Sequence, residues 1–227
     1  GFPHPLWYWL SGYQQGAHGF AESLVAPPWP TEAMTATWQS RLASVPWAVA
    51  LQQYNVLDSH DTPRIRTLVK GNDALHRLAA AVLLTFPGVP GLYYGDEIGM
   101  EDAPLLGARG CMIWDERRWN RPLRDYLRDL IHLRRRSAAL QHGGFQSLLA
   151  EPDTVAYQRE TADDRLLVFA HRGEEPRPAG PIDLDHAGIA DGTRFVNLVT
   201  GVERVVRDGA LALPELPQGA TLWQQVV

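Results

Sequence analysis

Asn55 to Arg64, NVLDSHDTPR, sets Asp58, His60, Asp61 and Arg64 at the end of the apolar pair Val56–Leu57. A carboxylate beside a buried strand is costly unless it is paired or put to use. Two readings fit these residues. The turn could be solvated, with Asp61 capping a helix that starts after Pro63. Alternatively, the charge is paired or put to use, with His60 beside Asp61 and Arg64 within reach. A second polar corner, Gly95-Asp96-Glu97, follows the apolar stretch Gly91 to Tyr94 (GLYY). Asp96 and Glu97 are expected to pair with loop cations. Tyr93 and Tyr94, alternating on a strand, would present at most one ring to a ligand.

The elements that must carry these corners can be read on either side. Thr31 is expected to cap a helix through Met34, Trp38 and Leu42, after the Ala26–Pro30 stop (APPWP) and before Pro46. A short buried strand is expected within Val49 to Leu57. Asn72 or Asp73 should cap a largely buried helix over Ala74 to Phe86, with Pro87-Gly88 ending it. Strand, helix and strand with this punctuation make a βαβ unit, charged at the carboxyl ends of both strands, where α/β folds place their chemistry. A second helix is expected over Arg121 to Leu140, with Leu123, Tyr126, Leu127, Leu130, Ile131 and Arg134 on one stripe. From Phe145 to Val227 the texture changes to short Val-, Leu-, Tyr- and Phe-rich segments between turns, an antiparallel β domain of seven or eight strands.

Composition narrows the function classes. A net charge of −5 argues against a broad basic face for nucleic acid. The run Arg134-Arg135-Arg136 sits where a helix C-terminus favours cations. The longest apolar run, Leu78 to Phe86, is too short to span a membrane. Cys111, the single cysteine, excludes an internal disulfide and gives no zinc spacing. It reads as inert, and the compartment as reducing or unspecified, with a cytoplasmic location as the expectation. His4, His18, His76, His132, His142, His171 and His186 lack ligand spacing and read as structural, and the tryptophans read as packing residues. No loop gathers three acids, so no metal site is expected.

NVLDSHDTPR, then Phe86 to Met100 (FPGVPGLYYGDEIGM), then Arg109 to Glu116 (RGCMIWDE), then LIHLRRRSAAL from Leu130 resemble in order the α-amylase family, glycoside hydrolase family 13. The form NxLxSHDTxR is most similar to the neopullulanase, cyclomaltodextrinase and maltogenic amylase group. The likeness runs in register over about residues 1–145 and loosely beyond. It implies the C-terminal part of a (β/α)8 TIM barrel at residues 1–142, from after strand six through helix eight. An antiparallel β-sandwich domain would follow at residues 143–227.

The resemblance also implies roles. Asp61 would be the third active-site acid, bonding sugar hydroxyls as the ring flattens in the transition state. His60 would bind a hydroxyl of the same sugar. Arg109 would lie near a distal sugar, Tyr94 would be a substrate contact, and Arg64 would support Asp61. The substrate would be an α-glucan or malto-oligosaccharide, with no cofactor. Relatives often carry an acid four residues before the arginine, where this chain has Leu105, and Gly107 replaces another common polar residue, so the distal subsite differs. The nucleophile and general acid/base have no matching segments here. They would come from an N-terminal portion of the same enzyme, without which this chain would be silent. A non-catalytic carbohydrate-binding module and a sucrose- or trehalose-acting relative are the competing expectations.

Overall fold

The computed structural model describes residues 2–16 and 19–226, leaving His18 outside the described residues. The chain opens with α1 (Pro3–Ser11) and a hairpin, β1 (Tyr13–Gly16) and β2 (Gly19–Val25). Then come α2 (Thr31–Ala43), α3 (Trp47–Ala50), β3 (Tyr54–Val56), α4 (Ile65–Leu68), α5 (Asp73–Thr85) and β4 (Val89–Gly91). Two helices, α6 (Arg121–Arg136) and α7 (Ala138–His142), lead into the β strands.

Strands β3 and β4 pair in parallel, Tyr54 opposite Val89 and Val56 opposite Gly91, with α4 and α5 as the crossover. Asn72 caps α5 as expected, its side-chain oxygen accepting from Leu75 N at 3.1 Å. Every side chain from Leu78 to Leu84 is buried, so α5 is a core helix. Pro87 disfavours helical backbone at Phe86 and ends it.

Three local expectations change. Thr31 is the first helical residue of α2, after Pro30. Its hydroxyl donates to Pro152 O at 2.7 Å and accepts from Trp9 Nε1 at 2.8 Å, which ties the helix to its neighbours. The helix expected over Arg121 to Leu140 breaks at Ser137, whose hydroxyl bonds Asp164 and caps α7. The strand expected at Gly91 to Tyr94 lies earlier, at Val89–Gly91. Tyr93 and Tyr94 therefore fall in the bend beyond it and do not alternate.

The β region holds β5 (Gly144–Glu151), β6 (Thr154–Glu160), β7 (Arg165–His171), β8 (Gly180–Asp183), β9 (Arg194–Asn197), β10 (Glu203–Val205), β11 (Ala210–Leu213) and β12 (Gly219–Gln225). Six form an antiparallel sheet in the order β10-β9-β12-β7-β6-β5, and β8 pairs with β11 as a small second layer. Alternation along the central strands sorts two cores. Val155, Tyr157, Leu166, Val168, Ala170 and Leu222 join the core of α1, α2, α5 and α6. Ala156, Leu167, Phe169 and Trp223 face Ile182, Leu211 and Phe195.

A buried arginine and a half-buried one stitch the helices to this sheet. Arg159 donates to Thr85 O, Gly143 O and Gly144 O at 2.7, 2.9 and 2.9 Å. Arg134 donates to Leu84 O at 2.8 Å and to the Gly88 carbonyl. These carbonyls include those left open at the C-terminus of α5.

Candidate active site

Both charged corners lie at the carboxyl ends of the parallel strands, as the βαβ reading requires. After β3 the chain forms a tight turn: Ser59 N donates to Thr62 Oγ1 at 2.8 Å and Asp61 N to Ser59 Oγ at 3.2 Å. This turn presents Asp61 to solvent, its side chain 60% exposed. Asp61 Oδ1 accepts from Arg109 Nη2 at 2.7 Å, and Oδ2 lies 3.1 Å from His60 Nε2. Arg109 Nε also donates to His60 O at 3.1 Å. His60, Asp61 and Arg109 thus form one exposed cluster.

The capping alternative for Asp61 fails. Asp58 accepts from Ile65 N and Asp102 from Arg64 N at 3.0 Å, so these acids hold the start of α4 and leave Asp61 free of that task. Of the two, Asp58 stood in the first motif, while Asp102 carried no spacing signal at all.

Arg64 is completely buried and does not reach Asp61, so it neither touches a ligand nor supports that carboxylate directly. It donates from Nη1 to Tyr94 O at 2.7 Å and Asp96 Oδ1 at 3.2 Å, and from Nη2 to Ala108 O at 3.0 Å. The physical reason is direction: Arg64 is the extended cap residue before α4, and its side chain runs inward, between the two loops. Its guanidinium carbon lies 4.7 and 4.9 Å from the Tyr93 and Tyr94 ring centres. Asp96 therefore has its cation, whereas Glu97 takes the Gly95 N–H at 2.8 Å. Burial first, with Tyr94 adding to it, pushes the Tyr93 phenol up to about 12. Tyr94 stays partly exposed while its hydroxyl donates to Gly110 O at 2.7 Å, which leaves a ring face and not the hydroxyl for a ligand.

Beside the cluster opens a pocket of about 270 Å³, bounded by His60, Thr62, Asp102, Leu105, Leu106 and Arg109. Its apolar wall is a tight turn in which Ala103 N and Gly107 N donate to each other's carbonyls at 2.8 and 2.9 Å. Leu105 stands at the tip, fully exposed, with φ of 66°. That left-handed conformation is uncommon for a leucine. This side of the pocket is therefore built from apolar residues. Trp7, Trp9, Trp38 and Trp223 pack in the core as expected, but Trp114 stands in solvent. Among the described residues no group of three or more metal-ligating side chains is assembled. Among the same residues no helix is long and apolar enough to cross a membrane.

Known proteins resemble this chain in sequence and fold. Residues 22–161 match the alpha amylase catalytic domain. Neopullulanase 2 of Thermoactinomyces vulgaris is 37% identical over 174 residues, which cover 75% of this chain and 29% of that protein. A cyclomaltodextrinase of Geobacillus thermopakistaniensis is 33% identical over 184 residues, 80% of this chain and 30% of the relative. The chain therefore spans about three-tenths of the length of these relatives. The crystal structure of Ttha1563 from Thermus thermophilus superposes with a TM-score of 0.84 at 27% identity, covering 100% of this chain and 48% of that one. A solved cyclomaltodextrinase superposes at 0.77 and 28% identity, covering 87% of this chain and 33% of its own. With the sequence match and the parallel strand ends in agreement, the chain belongs to the alpha-amylase family of glycoside hydrolases.

Proposed function

We propose that this chain is the C-terminal portion of a retaining α-glycosidase that hydrolyses, or transglycosylates, α-glucosidic bonds in malto-oligosaccharides or related α-glucans. The observation that carries this reading is Asp61. Its carboxylate is solvent-exposed, oriented by His60 and Arg109, and beside an open pocket at the strand ends. The names of the relatives, neopullulanase and cyclomaltodextrinase, support the substrate class.

In this mechanism a nucleophile and an acid/base flank the scissile bond, with carboxyls roughly 5–5.5 Å apart. Those two groups would come from the N-terminal portion of the enzyme, so this chain by itself would not turn over. Asp61 accepts hydrogen bonds from the sugar's hydroxyls, and these strengthen as the ring flattens and gains positive charge. His60 contacts the same sugar. Arg109 holds Asp61 in place and faces the next unit, and the exposed part of Tyr94 supplies a ring face for stacking. Arg64 contributes from beneath, by fixing the two loops.

The test is Asp61→Asn in the full-length enzyme, assayed on malto-oligosaccharides. The expected loss is about 10²–10³-fold in kcat, the scale of one lost transition-state hydrogen bond, with folding intact. Unchanged hydrolysis would remove Asp61 from the mechanism and leave this region a sugar-binding or structural part.

A further inference from the structure

Below the Asp61 turn, a small group of charges is packed out of water. Arg64 is 0%, Asp58 1% and Asp96 2% exposed. Asp58 Oδ2 takes the Ile65 N–H, and Asp96 Oδ1 takes Arg64 Nη1. The Asp58 and Asp96 carboxyls also lie against each other, close enough for one to donate to the other. Two ionised carboxylates could not bond there, because each only accepts. Without a proton between them, Asp58 Oδ1 is a buried oxygen with no donor, an expensive state.

Charge balance leads to the same place. One guanidinium against two buried carboxylates leaves an unpaired negative charge, whereas one retained proton makes the group neutral. The surrounding charges do not change this. Asp102, on the pocket side, accepts the Arg64 backbone N–H, and Glu97 adds negative potential at Asp96. Tyr93 and Tyr94 cover the guanidinium with neutral rings. Burial is the largest influence on Asp96, followed by the charge of Asp58, and both raise its pKa well above the usual carboxyl range. Burial likewise raises Asp58, against the Ile65 N–H, which lowers it.

We infer that Asp96 is a positioning residue that keeps its proton at neutral pH, donates it to Asp58, and so holds Arg64 as a neutral clamp between the Asp61 turn and Ala108–Arg109. The clamp spans the right places. Arg64 follows the turn by two residues and binds the carbonyl of Ala108, whose neighbour Arg109 grips Asp61. The functional part rests on the reading of Asp61 given above, but the proton itself can be observed without any activity.

The experiment is infrared difference spectroscopy of the full-length protein at neutral pH, in light and heavy water, together with melting midpoints across pH. The wild type should show the carbonyl stretch of a buried carboxylic acid, and Asp96→Asn should lose it. The pH dependence has a defined sign. Above the ordinary carboxyl range the unfolded chain has released this proton while the folded chain keeps it. Wild-type stability therefore falls as pH rises, until the folded acid ionises too. The amide of Asp96→Asn donates to Asp58 and accepts from Arg64 at every pH, so it lacks that slope. The variant should gain roughly 2–4 °C on the wild type between mildly acidic and mildly alkaline pH. The alkaline limb of the kcat/KM profile should move with it.

Absence of the acid band in the wild type overturns the inference, as does a melting difference that does not change with pH. Should Asp96→Asn fail to fold, Asp58→Asn replaces it: its amide donates to an ionised Asp96, and the band again disappears. Normal hydrolysis by Asp61→Asn would sink the functional reading and leave these spectroscopic results standing.

Discussion

Arg109 and Arg159 carry the same guanidinium into opposite surroundings. Arg109 is 61% exposed and meets a carboxylate, Asp61, in water. Arg159 is fully buried and gives its donors to the carbonyls of Thr85, Gly143 and Gly144. Burial first, then the charge of Arg134, lowers Arg159 to about 9, so it remains charged at neutral pH. An exposed pair contributes about 0–1 kcal/mol. A buried cation that satisfies several otherwise open carbonyls contributes far more to holding the fold, because its removal orphans all of them. The molecule keeps its structural charge at the seam between helices and sheet. The exposed pair at the strand ends, Asp61 with Arg109, does little for stability, which leaves it available to a ligand.

Substitutions can break that contrast. The largest effect is expected from Arg159→Leu. Three carbonyls lose their donor, and the loss should be about 3 kcal/mol or more by denaturant unfolding, with the kcat of the molecules still folded unchanged. A loss comparable with that of a surface pair would erase the distinction.

Histidines sharpen the same contrast. His60 lies at the exposed edge, while His76 on α5 is buried with both ring nitrogens unpartnered. Burial, then the nearby charge of Arg66, lowers His76 to about 4, and Asp73 opposes this. Between about 6.5 and 4 the unfolded chain takes up a proton that the folded chain refuses. Stability should fall as pH drops through that window, by on the order of 3 kcal/mol in all. In His76→Leu that acid loss should be absent when both proteins are melted at a series of pH values.

The smallest effect belongs to the exposed edge. Arg109→Ala should change stability by no more than about 1 kcal/mol. Its signature should be a raised KM for oligosaccharides and a weaker dependence of KM on salt. A large stability loss would show that the edge carries structural weight after all.

The contrast also explains what could be read in advance. The βαβ unit, the buried α5 and the leucine stripe of α6 were legible because period and punctuation are local properties. That Asp61, His60 and Arg109 stand together is legible through motifs of the family and not through spacing, since 48 residues separate Asp61 from its arginine partner. Arg64 was misjudged for the same reason: its sequence neighbour is Asp61, but its spatial partner is Asp96, on another loop. Tyr93 and Tyr94 looked like strand residues because they are apolar and aromatic, and only the bend through Gly95 removes them from the strand. Strand β8 is hard to read in the sequence because Gly180 and Pro181 are turn-forming residue types, although pairing with β11 makes them strand. The role of Arg159 cannot be read in the sequence, since alternation gives the face of a side chain and not what covers that face.

The two-faced burial of the central sheet has a bearing on how this protein tolerates change. A β strand at a surface has one side on which most substitutions are nearly neutral. In β6 every residue from Thr154 to Arg159 is buried, and in β7 every residue from Leu166 to His171. Neither strand has a permissive side, so a volume change at any of these positions meets a packed neighbour. Heritable variation in this half of the molecule should therefore collect in β10 and the connecting turns, with β6 and β7 as its fixed spine.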